Sequence, residues 1–84
     1  MTVEVKLFAG LRDRLSVGQR GRVRITLTAG ATLSNLLDRL EIPPKQAQMV
    51  LVNGKQVPRS AGIRESRVLQ DGDVVAVFPP VAGG

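Results

Sequence analysis

Only one stretch of this chain carries the spacing of an amphipathic helix, and it is short. Leu33, Leu36, Leu37 and Leu40 recur at i, i+3, i+4 and i+7, a single apolar stripe. Thr32 stands where its hydroxyl can accept from an orphan amide of the first turn. Pro43-Pro44 is expected to stop the helix, since the residue before a proline is pushed out of helical geometry. The other main apolar segments have strand length. A fold made from these parts lays one helix across one sheet, so the leucine stripe reads as core rather than as a surface for a partner helix.

The strands follow from period-two alternation. In residues 2–8, Val3, Val5 and Leu7 share one face while Glu4, Lys6 and Phe8 share the other. A short helical turn is expected over 9–15, with Leu11 and Leu15 one turn apart, and then a basic loop between Gly18 and Gly21. A second strand at 22–28 points Val23, Ile25 and Leu27 one way and Arg22, Arg24, Thr26 and Thr28 the other. No two-residue hairpin signal precedes it, so the connection is a longer loop.

A third strand is expected at 48–52, and Asn53-Gly54 is a tight-turn signal because both residues tolerate positive φ. A short strand at 55–57 ends at Pro58, and 59–70 reads as a surface loop holding a turn or so of local structure. Asp71-Gly72-Asp73 turns the chain into a last strand, 74–78, which is apolar on both faces and therefore suited to the middle of the sheet. The order is that of an α+β, β-grasp fold, a single domain over 1–84 with an extended tail at 79–84. Its expected core holds Val3, Val5, Leu7, Ile25, Leu33, Leu36, Leu37, Leu40, Val50 and Val52. One helix covers one side of a sheet only. The other side should expose an apolar patch beside the tail that includes Phe8 and Phe78, as a partner-docking surface does.

What the chain lacks restricts its chemistry. With 84 residues it buries about 60–65% of the surface its unfolded form exposes. It has no cysteine to staple it, bind metal or act as a sulfur nucleophile, and no histidine to serve as a general base. No metal or cofactor site is expected in the chain itself. No apolar run is long enough to span a bilayer, and the first residues, reading as a strand, carry no export signal, so the expected location is cytoplasmic. The net charge is +5, and Arg12, Arg14, Arg20, Arg22 and Arg24 crowd one stretch against the single acid Asp13. Nucleic-acid binding would join such a face to stacking aromatics, yet the only two, Phe8 and Phe78, fall inside apparent strands. The basic stretch is read as a solvated or partner-facing edge.

The last residues are Phe78-Pro79-Pro80-Val81-Ala82-Gly83-Gly84. Two prolines end the ladder and hold the backbone extended. From Pro79 onward the chain can reach about 20 Å at about 3.3 Å per residue. A terminus of two glycines can thread a narrow channel and present a bare carboxylate; alone it is also what a frayed end looks like.

Leu7-Phe8-Ala9-Gly10-Leu11-Arg12, the Val52-Asn53-Gly54 turn and above all the run Asp71 to Gly84 resemble the MoaD family, the small subunits of molybdopterin synthase and relatives of the thiamine sulfur carrier ThiS. The chain departs from that pattern in the stretch Pro58 to Val68 and in its basic balance. The resemblance implies a ubiquitin-like fold and a carrier with no catalytic side chains of its own. It implies that a MoeB-like enzyme of the ubiquitin-activating kind uses ATP to adenylate the Gly84 carboxylate. A persulfide donor then converts the adenylate to a thiocarboxylate. Gly83, Ala82, Val81, Pro80 and Pro79 would thread into the larger, MoaE-like synthase subunit, with Phe78 and Phe8 docking, and the sulfur would pass to a pterin precursor. Carriers for thiamine, transfer-RNA thiolation, cysteine synthesis or protein conjugation share the Gly-Gly chemistry and remain alternatives. A basic nucleic-acid-binding module is a more distant one.

Overall fold

A computed structural model describes residues 1–14, 21–60 and 62–80. Its five strands are β1 (Thr2–Leu7), β2 (Arg22–Thr26), β3 (Met49–Val52), β4 (Lys55–Gln56) and β5 (Val74–Phe78). They form one sheet in the order β2-β1-β5-β3-β4. β1 and β5 pair in parallel at its centre, and every other pairing is antiparallel. This is the β-grasp arrangement, with the last strand between the first and third as its two apolar faces suggest. The expectations at Leu15 and Gly18 lie outside the described residues.

Alternation decides what is buried. Val3, Val5 and Leu7 of β1, Val50 and Val52 of β3, and Val75 and Val77 of β5 point to one side and are excluded from solvent. The main helix, α1 (Leu33–Arg39), adds Leu33, Leu36 and Leu37 to that core. Two residues expected there are only partly buried. Ile25 lies on the outer strand β2, where the layer above ends, and Leu40 lies beyond the last residue of α1. Leu11, Ile42, Ala47, Val57 and Leu69 complete the core from the connections.

The ends of α1 have different origins. At its start Thr32 Oγ1 accepts from Asn35 N (3.2 Å) while Asn35 Oδ1 accepts from Thr32 N (2.9 Å), a reciprocal capping box. Its end is not made by Pro43. Glu41 adopts φ +57°, its amide donates to Asp38 O, and Ile42 N donates back to Leu37 O at 2.9 Å. That pair of bonds is a Schellman turn, which closes the helix before the prolines and drops Ile42 into the core.

The expected local turn within 59–70 is a short helix, α2 (Ile63–Ser66), docked against the start of α1 through Leu33 N to Arg67 O (2.8 Å) and Leu69 N to Ala31 O (2.9 Å). It also buries a charge that the sequence did not reveal. Arg64 is 7% exposed, and its Nη1 donates to Ala47 O at 2.7 Å while Nε has no partner among the described residues. Burial pulls its guanidinium below the usual pKa and the charge of Arg59 adds to this, against Glu65.

At one end of the sheet two turns clasp each other. Asn53 and Gly54 both take positive φ, as their tight turn requires. Asn53 Nδ2 donates to Asp73 Oδ1 (2.9 Å), Val74 N donates to Asn53 Oδ1 (2.9 Å), and Asp73 Oδ2 accepts from Gln70 N (2.8 Å). Asp71 Oδ1 takes the amide of Thr2 at 2.7 Å, tying this turn to the start of β1. The clasp fixes the phase of β5 against β1, and so decides what meets at the opposite end. No helix among the described residues is long and apolar enough to cross a membrane.

Candidate functional site

The parallel register pairs Leu7 with Val77, both turned into the core. The next residue on each strand therefore faces the open side, and these residues are Phe8 and Phe78. Phe8 lies one position past β1, its amide donating to Val77 O at 3.2 Å so that the ladder extends to it. The two rings stack with centroids 4.3 Å apart and planes 8° from parallel. Phe8 remains 37% exposed, and Phe78 is half-buried. The pair thus stands outside the buried core on the face that no helix covers.

Around this pair runs an apolar groove of about 750 Å³. Met49 forms one wall because it is the antiparallel partner of Phe78. Ala9 and Gly10, at the start of the 3-10 helix Ala9–Arg14, form another, and Pro79 and Pro80 carry the chain out along it. Alternation had placed Phe8 and Phe78 on the open face, and they do meet there. It could not show Met49 or Gln48 as neighbours, because they arrive through the antiparallel phase of β3 against β5, which no local pattern reveals. Of the expected tail, Pro79 and Pro80 lie on the groove, whereas Val81, Ala82, Gly83 and Gly84 lie outside the described residues.

Next to the groove the open face changes character. Val74, Ala76 and Leu51 continue it as half-buried apolar surface, while on β1 and β2 the same face carries Lys6, Arg22 and Arg24. No cluster of three acidic side chains that could hold a metal ion occurs among the described residues.

The ThiS family model matches residues 5–84. The chain belongs to the ThiS family. This is a family of ubiquitin-like sulfur carriers and modifiers. Among curated relatives, small archaeal modifier protein 3 of Haloferax volcanii is 36% identical over 98 aligned positions that span the whole of both chains. The crystal structure of SAMP1 from Haloferax volcanii superposes with a TM-score of 0.69 at 28% identity, again over the whole of both chains. A putative molybdopterin converting factor subunit 1 from Pyrococcus furiosus gives a TM-score of 0.67 at 28% identity, covering 95% of this chain and 98% of that one. As a ThiS-family member the protein is a ubiquitin-like β-grasp carrier or modifier, and its groove lies at the end of the sheet where β5 runs into Pro79 and Pro80.

Proposed function

We propose that this protein is a sulfur carrier that works through the α-carboxylate of Gly84 and docks its enzymes through the groove of Phe8 and Phe78. The observation that carries the reading is the exit of Pro79-Pro80 along the stacked aromatic pair of the open face, in a chain whose sequence runs on to Gly83-Gly84. A carboxylate is a poor electrophile until one oxygen becomes a good leaving group. In the proposed sequence an activating enzyme of the MoeB-like, ubiquitin-activating class supplies ATP, the Gly84 carboxylate displaces pyrophosphate, and an acyl-adenylate forms. A persulfide donor's terminal sulfur then attacks the acyl carbon and expels AMP. A second thiol of the donor system cleaves the resulting disulfide, leaving the thiocarboxylate on Gly84. The carrier contributes recognition and the carboxylate, and its partners contribute the acid–base groups. A chain without cysteine or histidine suits that division.

For the destination of the sulfur we propose molybdopterin synthesis, the chain acting as small subunit with its tail in a MoaE-like larger subunit. The resemblance of the run Asp71 to Gly84 and the similarity to the Pyrococcus protein support this. The identity with small archaeal modifier protein 3 favours a second reading, in which the same activated end is joined to lysines of other proteins.

One experiment separates the outcomes. Intact mass spectrometry after incubation with activating enzyme, ATP and a persulfide donor should show replacement of one oxygen by sulfur, and none in a chain lacking Gly83 and Gly84. A thiocarboxylate that forms even behind a permanent C-terminal fusion would refute the Gly84 mechanism. Sulfur transfer to a pterin precursor in the larger subunit supports the first destination. The tryptic remnant Val68–Gly84 found on lysines of cell proteins supports the second.

A further inference from the structure

The row of residues across the open face, one step back from the aromatic pair, contains no carboxylate. Reading from the outer strand it is Arg22, Lys6, Ala76, Leu51 and Gln56. Arg22 and Lys6 are direct cross-strand partners, and like charges placed opposite each other on one face weaken a strand pair. The acid of this face, Glu4, lies a row further back, opposite Arg24, where both border a separate hollow with Asp71. Arg12 adds an exposed cation at the groove end of β2, its stem lying against Gly21. The fold thus keeps an unfavourable pair of cations beside the apolar groove.

We propose that Lys6 and Arg22 form an electrostatic docking strip beside the aromatic groove, and that its occupant is a carboxylate-bearing surface of the enzyme that activates the C-terminus. The proposal rests on the reading of Gly84 as the activated end. Sulfur transfer and conjugation both begin with that activation, so a strip serving it serves either destination. The apolar groove supplies the short-range contact, and the cations steer the approach and fix its orientation, which is what charges at the rim of an interface do best. A net charge of +5 strengthens the steering of an acidic partner. The groove argues for protein over nucleic acid. Bases stack on free ring faces, whereas these rings face each other at 4.3 Å and the walls are Met49, Pro79 and Pro80.

The test uses the full chain and the activating enzyme of the same organism. Affinity and association rate are measured by fluorescence anisotropy over a salt series, alongside ATP–pyrophosphate exchange, for the wild type, the Lys6→Gln/Arg22→Gln double variant and the charge-keeping Lys6→Arg. The wild type should bind more weakly as salt rises. The double variant should bind about tenfold more weakly at low salt, through a slower association rate and with a flatter salt dependence. Lys6→Arg should match the wild type. Thermal melting verifies that the double variant is folded, and loss of the like-charge pair should leave its midpoint equal or higher.

Equal affinity and equal salt dependence of wild type and double variant would overturn the strip. So would absence of wild-type binding, or loss of binding to a single-stranded RNA in the double variant while enzyme binding is unchanged. Strip-dependent binding without any pyrophosphate exchange would support the strip and sink the Gly84 reading instead.

Discussion

Gly21 and Asn53 are single positions on which the geometry of the whole sheet depends. Gly21 has φ +79°, and a Cβ there would stand 2.8 Å from both Leu7 O and Arg12 Cδ. Its carbonyl accepts from Leu7 N at 2.7 Å, so it extends the pairing of β2 with β1 to the residue just before Phe8. Gly30, with φ +91° and nothing within 4 Å of a built Cβ, is the natural control. Gly30→Ala should cost about 1–2 kcal/mol for the left-handed backbone alone. Gly21→Ala should cost at least about 1 kcal/mol more, because a carbonyl oxygen cannot swing away as a side-chain end can. Denaturant midpoints of the two variants compare them directly. Asn53 combines φ +53° with two side-chain bonds across the clasp. Asn53→Ala should destabilise by about 1–3 kcal/mol, and Asn53→Gly by less, since glycine keeps the turn and loses only the bonds. Equal losses would assign the residue's role to its backbone only in small part.

At the scale of elements, the leucine stripe of α1 was legible because four residues on one face leave little freedom about where the helix points. The end of that helix was not, since a Schellman turn with glutamate in the left-handed position has no strong local signature. The difference is measurable along the stripe. Leu37 is buried, and Leu37→Ala should cost about 2–5 kcal/mol in chemical denaturation. Leu40 sits past the helix and is half-buried, so Leu40→Ala should cost about 1 kcal/mol. A reversed order would mean that the stripe, and with it the covering of the sheet, is rotated. β2 behaves similarly. Its alternation is correct, but an outer strand lies only partly under a single helix, and Ile25 is half-exposed for that reason.

For the whole molecule, the question is whether the aromatic pair serves folding or contact. Both rings stand on the open face outside the principal core, and the groove beside them is open to solvent. Phe78→Ser should therefore weaken binding of the activating enzyme by about 2 kcal/mol or more, roughly thirtyfold. Its effect on the melting midpoint should be the smaller free-energy change of the two. A large loss of stability with unchanged binding would make Phe78 an ordinary packing residue and move the docking surface elsewhere. Titration calorimetry beside thermal unfolding reads both quantities on the same preparation.

Much was determined by the sequence alone: one helix, five strand-like segments, the turns at Asn53-Gly54 and Asp71-Gly72, and the Gly-Gly end that carried the family resemblance. These are local properties, set by side-chain period and by which residues tolerate positive φ. The tertiary structure alone decided the matters of register. Parallel pairing of β1 with β5 in the phase Leu7 to Val77 brings Phe8 and Phe78, seventy positions apart in the chain, into one stack. Antiparallel pairing of β3 with β5 adds Met49 to the groove, and pairing of β1 with β2 sets Lys6 against Arg22. Alternation says which face a side chain takes but not its height along a neighbouring strand. That height comes from long-range hydrogen bonds such as those of Asp71, Asp73 and Asn53, whose partners no window of the sequence contains.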